Sequence, residues 1–185
     1  MSQESMVRAF DPWVGANYWS EGLAGVRILV LGESHYGDAG TERPSFTTEI
    51  VREWGQKKRL RFFTMIQKLL LGHGPGWISD EARAEFWEQV AFYNFVQTFA
   101  GAEPRIRPSR EMWDAARMPF LATLAELQPQ VLVVLGLELA TNLPQVPPSI
   151  FVCKVPHPSS NGFSYQQWHP GVLSALQSAI SQPHD

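Results

Sequence analysis

In the stretch RILVLGESHYG (27–37) an apolar run stops at a glycine, and a carboxylate, a hydroxyl, an imidazole and a phenol follow at once. Glu33, Ser34, His35 and Tyr36 are side chains that can orient water, move protons or line a pocket. Two other apolar runs end on groups of the same kind. Asn94 lies near the end of VAFYNFV (90–96), and His157 stands in PHPSSNGFSY, just after IFVCKV (150–155). An amide donates and accepts at once, so Asn94 suits a partner edge with adjacent carbonyl and N–H groups. Each residue also has an ordinary structural use. Glu33 can cap the next turn, Asn94 can satisfy a loop backbone, and His157 can be a structural histidine beside proline. For His35 the expectation is a solvated loop residue rather than a second acid/base group. GESHYG is neither a dinucleotide-binding glycine ladder nor a Walker loop, and it lacks the G-x-S-x-G nucleophile elbow. His73, His169 and His184 have no metal-ligand spacing with one another, so no metal is expected. Cys153 sits inside an apolar run and reads as core.

These groups need elements to position them. Four runs read as strands: 26–32, 90–96, 131–136 and 150–155. Three of them are nearly continuous apolar stretches, as in parallel strands covered on both faces. Helical patterns separate them at 61–71, at 79–90 with Ser79 as N-cap, and at 109–128 with Ser109 as cap and Pro129 as stop. A last pattern covers 165–180, with its start expected near Pro170. The alternation predicts one domain over 1–185. It is a three-layer α/β/α sandwich with a central, mainly parallel four-stranded sheet. Ligands of such sheets bind outside the carboxyl ends of the strands, so GESHYG, NFVQTFAGAEPRIRP, GLELATN and PHPSSNGFSY should meet.

Composition narrows the partners. The formal charge of −3 gives no whole-molecule attraction for nucleic acid, so phosphate contacts would need a local patch. REWGQKKRLR (52–61) and PRIRPSR (104–110, with Arg105, Arg107 and Arg110) are the candidates, the first being equally a solvated helix face. A single cysteine excludes an intrachain disulfide and a cysteine-ligated cluster. No signal-peptide pattern opens the chain and no apolar run approaches the ~20 residues of a membrane span, so a cytoplasmic protein is expected. Seven tryptophans and eleven phenylalanines are many for a chain of this size; most are expected in the core, though aromatic surface is also what stacks on bases.

The order of motifs, Gly-Glu after the first strand, Asn ending the second and His-Pro-Ser after the last, resembles the uracil-DNA glycosylase superfamily. The resemblance covers roughly Arg27 to Ala179 and is closest to the branch that carries Gly-Glu-Ala-Pro-Gly. It implies excision of uracil or a related damaged base from single- or double-stranded DNA, with the base flipped out, by a monomer without cofactor. Glu33 matches the motif glutamate of that branch. Ser34 falls where the uracil-specific branch (Gly-Gln-Asp-Pro-Tyr-His) has its catalytic aspartate, and His35 replaces its proline. Tyr36 matches the tyrosine that closes the pocket against a 5-methyl group. Asn94 matches the base-reading asparagine, and His157 the histidine that stabilises the departing base. Ser159 and Ser160 follow in the DNA-contacting loop, where a second serine replaces the proline of His-Pro-Ser-Pro. Phe163 falls at the apolar wedge. Phe46, with Tyr36, Phe62 and Phe63, is a candidate shelf for the base. The cluster cysteines of the Gly-Glu-Ala-Pro-Gly branch are missing. Two other classes fit the same residues. One is a non-catalytic nucleobase- or nucleic-acid-binding domain of this fold. The other is a small-molecule hydrolase pairing Ser34 with His35 or His157, which requires a nucleophile–base hydrogen bond.

Overall fold

The computed structural model of the chain describes residues 8–74, 76–103 and 106–182. The four apolar runs form strands as expected: β2 Ile28–Gly32, β3 Ala91–Asn94, β4 Val131–Leu135 and β5 Phe151–Val155, preceded by a short strand β1 Trp13–Val14. Together they make one five-stranded sheet in the order β1-β3-β2-β4-β5, in which β2 to β5 are mutually parallel. The expected four-stranded sheet is therefore corrected to five, because β1 adds antiparallel to β3 at the edge. Two residues are too few to show any alternation, which is why β1 left no sequence signal. Trp13 is pinned there by its indole N–H, which donates to the Trp87 carbonyl at 2.8 Å.

Alternate residues of the strands feed two hydrophobic clusters. Ile28, Val30, Phe92, Val131 and Val133 pack with α2 Arg61–Leu71, α3 Asp80–Gln89 and α7 Tyr165–Ser181. Leu29, Leu31, Tyr93, Leu132 and Val134 pack with α4 Arg110–Ala115 and α5 Arg117–Leu127. The sheet is thus buried on both faces, and each fully buried aliphatic side chain contributes roughly 1.5–3 kcal/mol. Only β5, at the far edge, alternates buried and exposed residues.

The helix ends follow the caps that the sequence offers. Ser79 accepts from the Ala82 amide at 3.1 Å and Ser109 from the Met112 amide at 3.3 Å. The single helix expected over 109–128 breaks at Ala116, since the Pro119 ring would strike the carbonyl of residue 115 in a continuous helix. At the C-terminal helix Pro170 does not mark the start. α7 begins at Tyr165, where Ser164 accepts from the Gln167 amide, and Pro170 lies inside it. The extra turn is held by tertiary contacts: Tyr165 is buried in the core, and His169 Nδ1 pairs with the Leu69 carbonyl at 2.8 Å. GLELATN, read as a loop, forms a short helix α6, Leu137–Asn142. Phe46–Ile50 forms α1, which continues as a wider π turn over Val51–Lys57. No described helix is long and apolar enough to cross a membrane.

The register of β2 against β3 sets the functional edge, because it pairs Gly32 with Asn94. A Cβ on Gly32 would lie 2.1 Å from Asn94 Oδ1 and 3.1 Å from the Phe92 ring. Gly32→Ala should therefore expel the Asn94 amide from its place and cost about 1–3 kcal/mol, the usual penalty for overpacking a core. A denaturation midpoint equal to the parent's would remove this constraint.

Candidate functional site

Glu33, Asn94 and His157 come from three strand ends and meet the same carboxyl edge of the sheet. Glu33 follows β2 directly, Asn94 is the last residue of the adjacent β3, and His157 lies two residues beyond β5. β5 is two strands from β2, so about 10 Å separates their backbones. A chain of contacts spans the gap. The Asn94 side chain covers Gly32 beside the Phe92 ring, Phe92 meets Phe62 at 6.3 Å, and Phe62 stacks on the His157 imidazole at 5.3 Å and 28°. Phe62, one of the expected base shelves, is thus the support of His157.

The GESHYG turn is tied down beyond the sheet. The Phe95 amide donates to Gly32 O at 3.0 Å, Val96 to Glu33 O at 2.9 Å and Ala100 to His35 O at 3.1 Å, while the Gly37 amide donates to Gly101 O at 3.0 Å. The turn therefore runs alongside residues 95–101 as a continuation of the β2–β3 pairing. Gln97 locks the second segment, donating to Asn94 O at 2.7 Å and accepting from the Phe10 amide at 3.0 Å.

His35 does not behave as expected. It is 6% exposed, its Nε2 pairs with Thr47 Oγ1 at 2.8 Å, and the Phe10 and Phe46 rings meet it edge-on. The solvated reading is corrected: once the turn is zipped to its neighbour, this side chain points into an aromatic nest. Burial drives its pKa down to about 3, so it is neutral. Phe46 belongs to the same nest, packing on His35 and Phe99 with the Arg43 guanidinium 4.9 Å from its ring centre. Tyr36 is exposed.

The electrostatics centre on Arg107. Its guanidinium donates to Glu33 Oε2 at 2.9 Å and also pairs with Glu138, in the first turn of α6. Glu33 is only 10% exposed, and burial holds its pKa above the ordinary 4.5 against the opposing pull of Arg107, with Glu138 adding to the rise. His157 lies below its ordinary 6.5, first through burial and then through the Arg107 charge. Its Nδ1 accepts the Ser159 amide at 3.1 Å, which leaves Nε2 as the atom that carries the proton. The Ser160 amide and hydroxyl both donate to His157 O, at 2.8 and 2.7 Å, and so close a turn with two bonds that a proline there could not make.

The other expected site residues fall as follows. Asn94 is 5% exposed, and its side-chain amide lies over Gly32. Ser34 Oγ is buried and has no hydrogen-bond partner among the described residues, so neither His35 nor His157 activates it. Phe163 is half-buried against the core. Arg110 is 91% exposed, whereas Arg105 lies outside the described residues. Of the expected phosphate rim, Arg107 is already shared between two carboxylates. Glu138 and Gln97 escaped the sequence reading. Glu138 had a signal, since Gly136-Leu137-Glu138 after β4 echoes Gly-Glu after β2. Among the described residues no cluster of three or more His, Cys, Asp or Glu could hold a metal ion. A cavity of about 700 Å³ beside Arg27, Gln130 and Phe151 opens at the amino ends of the strands, away from these groups. No protein-family model matches this sequence, and no curated protein matches it.

Two titrations follow. His35 has a depressed folded pKa, so the unfolded chain takes up its proton first as pH falls through 6.5, and stability drains away down to about 3. The loss approaches ~1.4 kcal/mol per pH unit, and His35→Gln should flatten that part of an acid-unfolding series. An unchanged slope would place His35 in water. Glu33 has the opposite sign: its raised pKa means that stability falls as pH rises past 4.5, because the fold disfavours the ionised form. Glu33→Gln should therefore melt higher than the parent at pH 7 and level with it near pH 4. A lower melting point at pH 7 would make the Arg107 pair a net stabiliser.

Proposed function

We propose that the chain is a uracil-DNA glycosylase-like enzyme, a three-layer α/β/α domain that hydrolyses the bond between sugar and base at uracil or a related damaged base in DNA. The observation that carries the reading is the Asn94 amide, 5% exposed at the end of its strand and lying over Gly32, set on one edge with a largely buried carboxylate and an imidazole held below its ordinary pKa. An amide fixed at such an edge can donate and accept at once, which is what a site built to grip a base edge requires. The resemblance in motif order supports the same function, and the DNA partner, the monomeric state and the cytoplasmic setting belong to this proposal.

The chemistry follows from charge. As the bond breaks, its electron pair goes to the base nitrogen, and positive charge develops on the sugar. Ionised Glu33 stabilises that cation, orients the water that adds to it and accepts the proton which that water loses. His157 donates its Nε2–H to the base oxygen, where negative charge gathers. Arg107 favours both states, keeping Glu33 ionised and His157 neutral. A non-catalytic base binder is the second reading, and one feature favours it: in the free protein Glu33 is engaged by Arg107 rather than open.

Single-turnover excision from a uracil-containing single strand separates the two readings. Glu33→Gln should abolish cleavage while DNA affinity stays near the parent's, and His157→Ala should slow the chemical step by about 10²–10³. Since the step needs Glu33 ionised and His157 neutral, the rate should fall as the solution is acidified, with the raised pKa of Glu33 bringing that loss in above pH 4.5. Saturable binding by the parent with no cleavage would establish the binder instead.

A further inference from the structure

Trp77, in the segment between α2 and α3, is 80% exposed, the most open of the large apolar side chains among the described residues. It is not a loose side chain. The Arg59 guanidinium lies 3.5 Å from its ring centre, and Arg59 is itself held by the Ile78 carbonyl at 2.7 Å and by an ion pair to Asp80. Asp80 also receives Arg83, which donates in turn to the Gln56 and Lys57 carbonyls. The indole is thus backed on one face by an anchored cation, with its other face and a recess of about 360 Å³ lined by His73, Ile78 and Ala82 open beside it. Exposed Lys57, Lys58 and Arg61 flank Arg59 in the chain, Lys58 being paired with Glu53. Glu81 on α3 is the exposed acid on the other side. An aromatic face held flat next to several cations suits stacked bases with their phosphates alongside. Arg59 is three residues before Phe62, the ring that supports His157, so the two lie at most about 11 Å apart along the chain.

The geometry points to Trp77 on Arg59 as a stacking platform for an unpaired base, one that takes a single DNA strand running past the His157 edge. A duplex keeps its bases stacked on one another and cannot present a face to this ring, so the platform selects single-stranded over double-stranded DNA. The inference deepens the glycosylase reading by naming the form of its substrate, and it rests on that reading for the strand's identity as DNA.

Fluorescence anisotropy of a labelled, uracil-free deoxythymidine strand on the full chain tests it without any cleavage. Trp77→Ala should weaken binding by roughly tenfold or more, and Trp77→Phe should retain most of the affinity. The salt dependence should be unchanged in Trp77→Ala and shallower in the Lys57→Gln, Arg61→Gln double variant, because stacking releases no counterions. A duplex of the same length should bind more weakly and be nearly indifferent to Trp77→Ala. An unaltered single-strand affinity in Trp77→Ala, an equal loss on the duplex, or a parent that does not bind the strand would overturn the platform. Uracil excision that persists beside any of these would leave the glycosylase reading standing. Trp77-dependent binding without excision would leave the platform and remove the enzyme.

Discussion

The functional edge depends on one close approach, the Asn94 amide lying over Gly32 in the space that a side chain would fill. The parallel register that brings these two residues level also aligns the chain beyond them. The GESHYG turn then continues as a hydrogen-bonded partner of residues 95–101 instead of leaving the sheet as a free loop. Glu33 is placed by backbone bonds on both sides of it, and so needs little further support to hold its direction. Functional groups are better preorganised on such extensions of a sheet than on independent loops.

A second consequence is electrical. Burial pushes Glu33 and His157 towards their neutral forms, as a low-dielectric edge must. Arg107 works against burial at the carboxylate and with it at the imidazole. A single guanidinium thereby favours an anion and a neutral donor within one site, which is the pair of states that separation of charge along a breaking bond would use. Glu138 completes the arrangement by sharing Arg107, so the site carries two carboxylates against one fixed cation. Its negative balance suits a developing sugar cation and makes a poor seat for phosphate.

The polar turn divides its labour by direction. Glu33 faces the edge, while His35 turns into the Phe10, Phe46 and Phe99 nest and gives up its charge to do so. Opposite effects of burial thus lie within three residues. The packing of His35 holds the turn on the body of the protein, and Glu33 is kept partly desolvated at a cost to folding. A carboxylate retained under those conditions is more easily understood as a working group than as a structural one.

What the amino-acid sequence determined by itself was whatever depends on local pattern. Continuous apolar runs place four strands, Ser79 and Ser109 cap their helices, and a glycine and polar residues at strand ends bring Glu33, Asn94 and His157 to one edge once the sheet is parallel. Only the tertiary structure decided matters that rest on contacts between distant residues. The Arg107–Glu33 bond joins positions 74 residues apart and has no local signature. The inward turn of His35 depends on the zipped 95–101 segment, and the place of Trp77 depends on an arginine from the far side of α2. Local sequence reports backbone preference and burial period. Pair contacts across the fold are chosen by packing, where a short apolar strand such as Trp13–Val14, or a lone glutamate after β4, finds its partner only when the whole sheet is assembled.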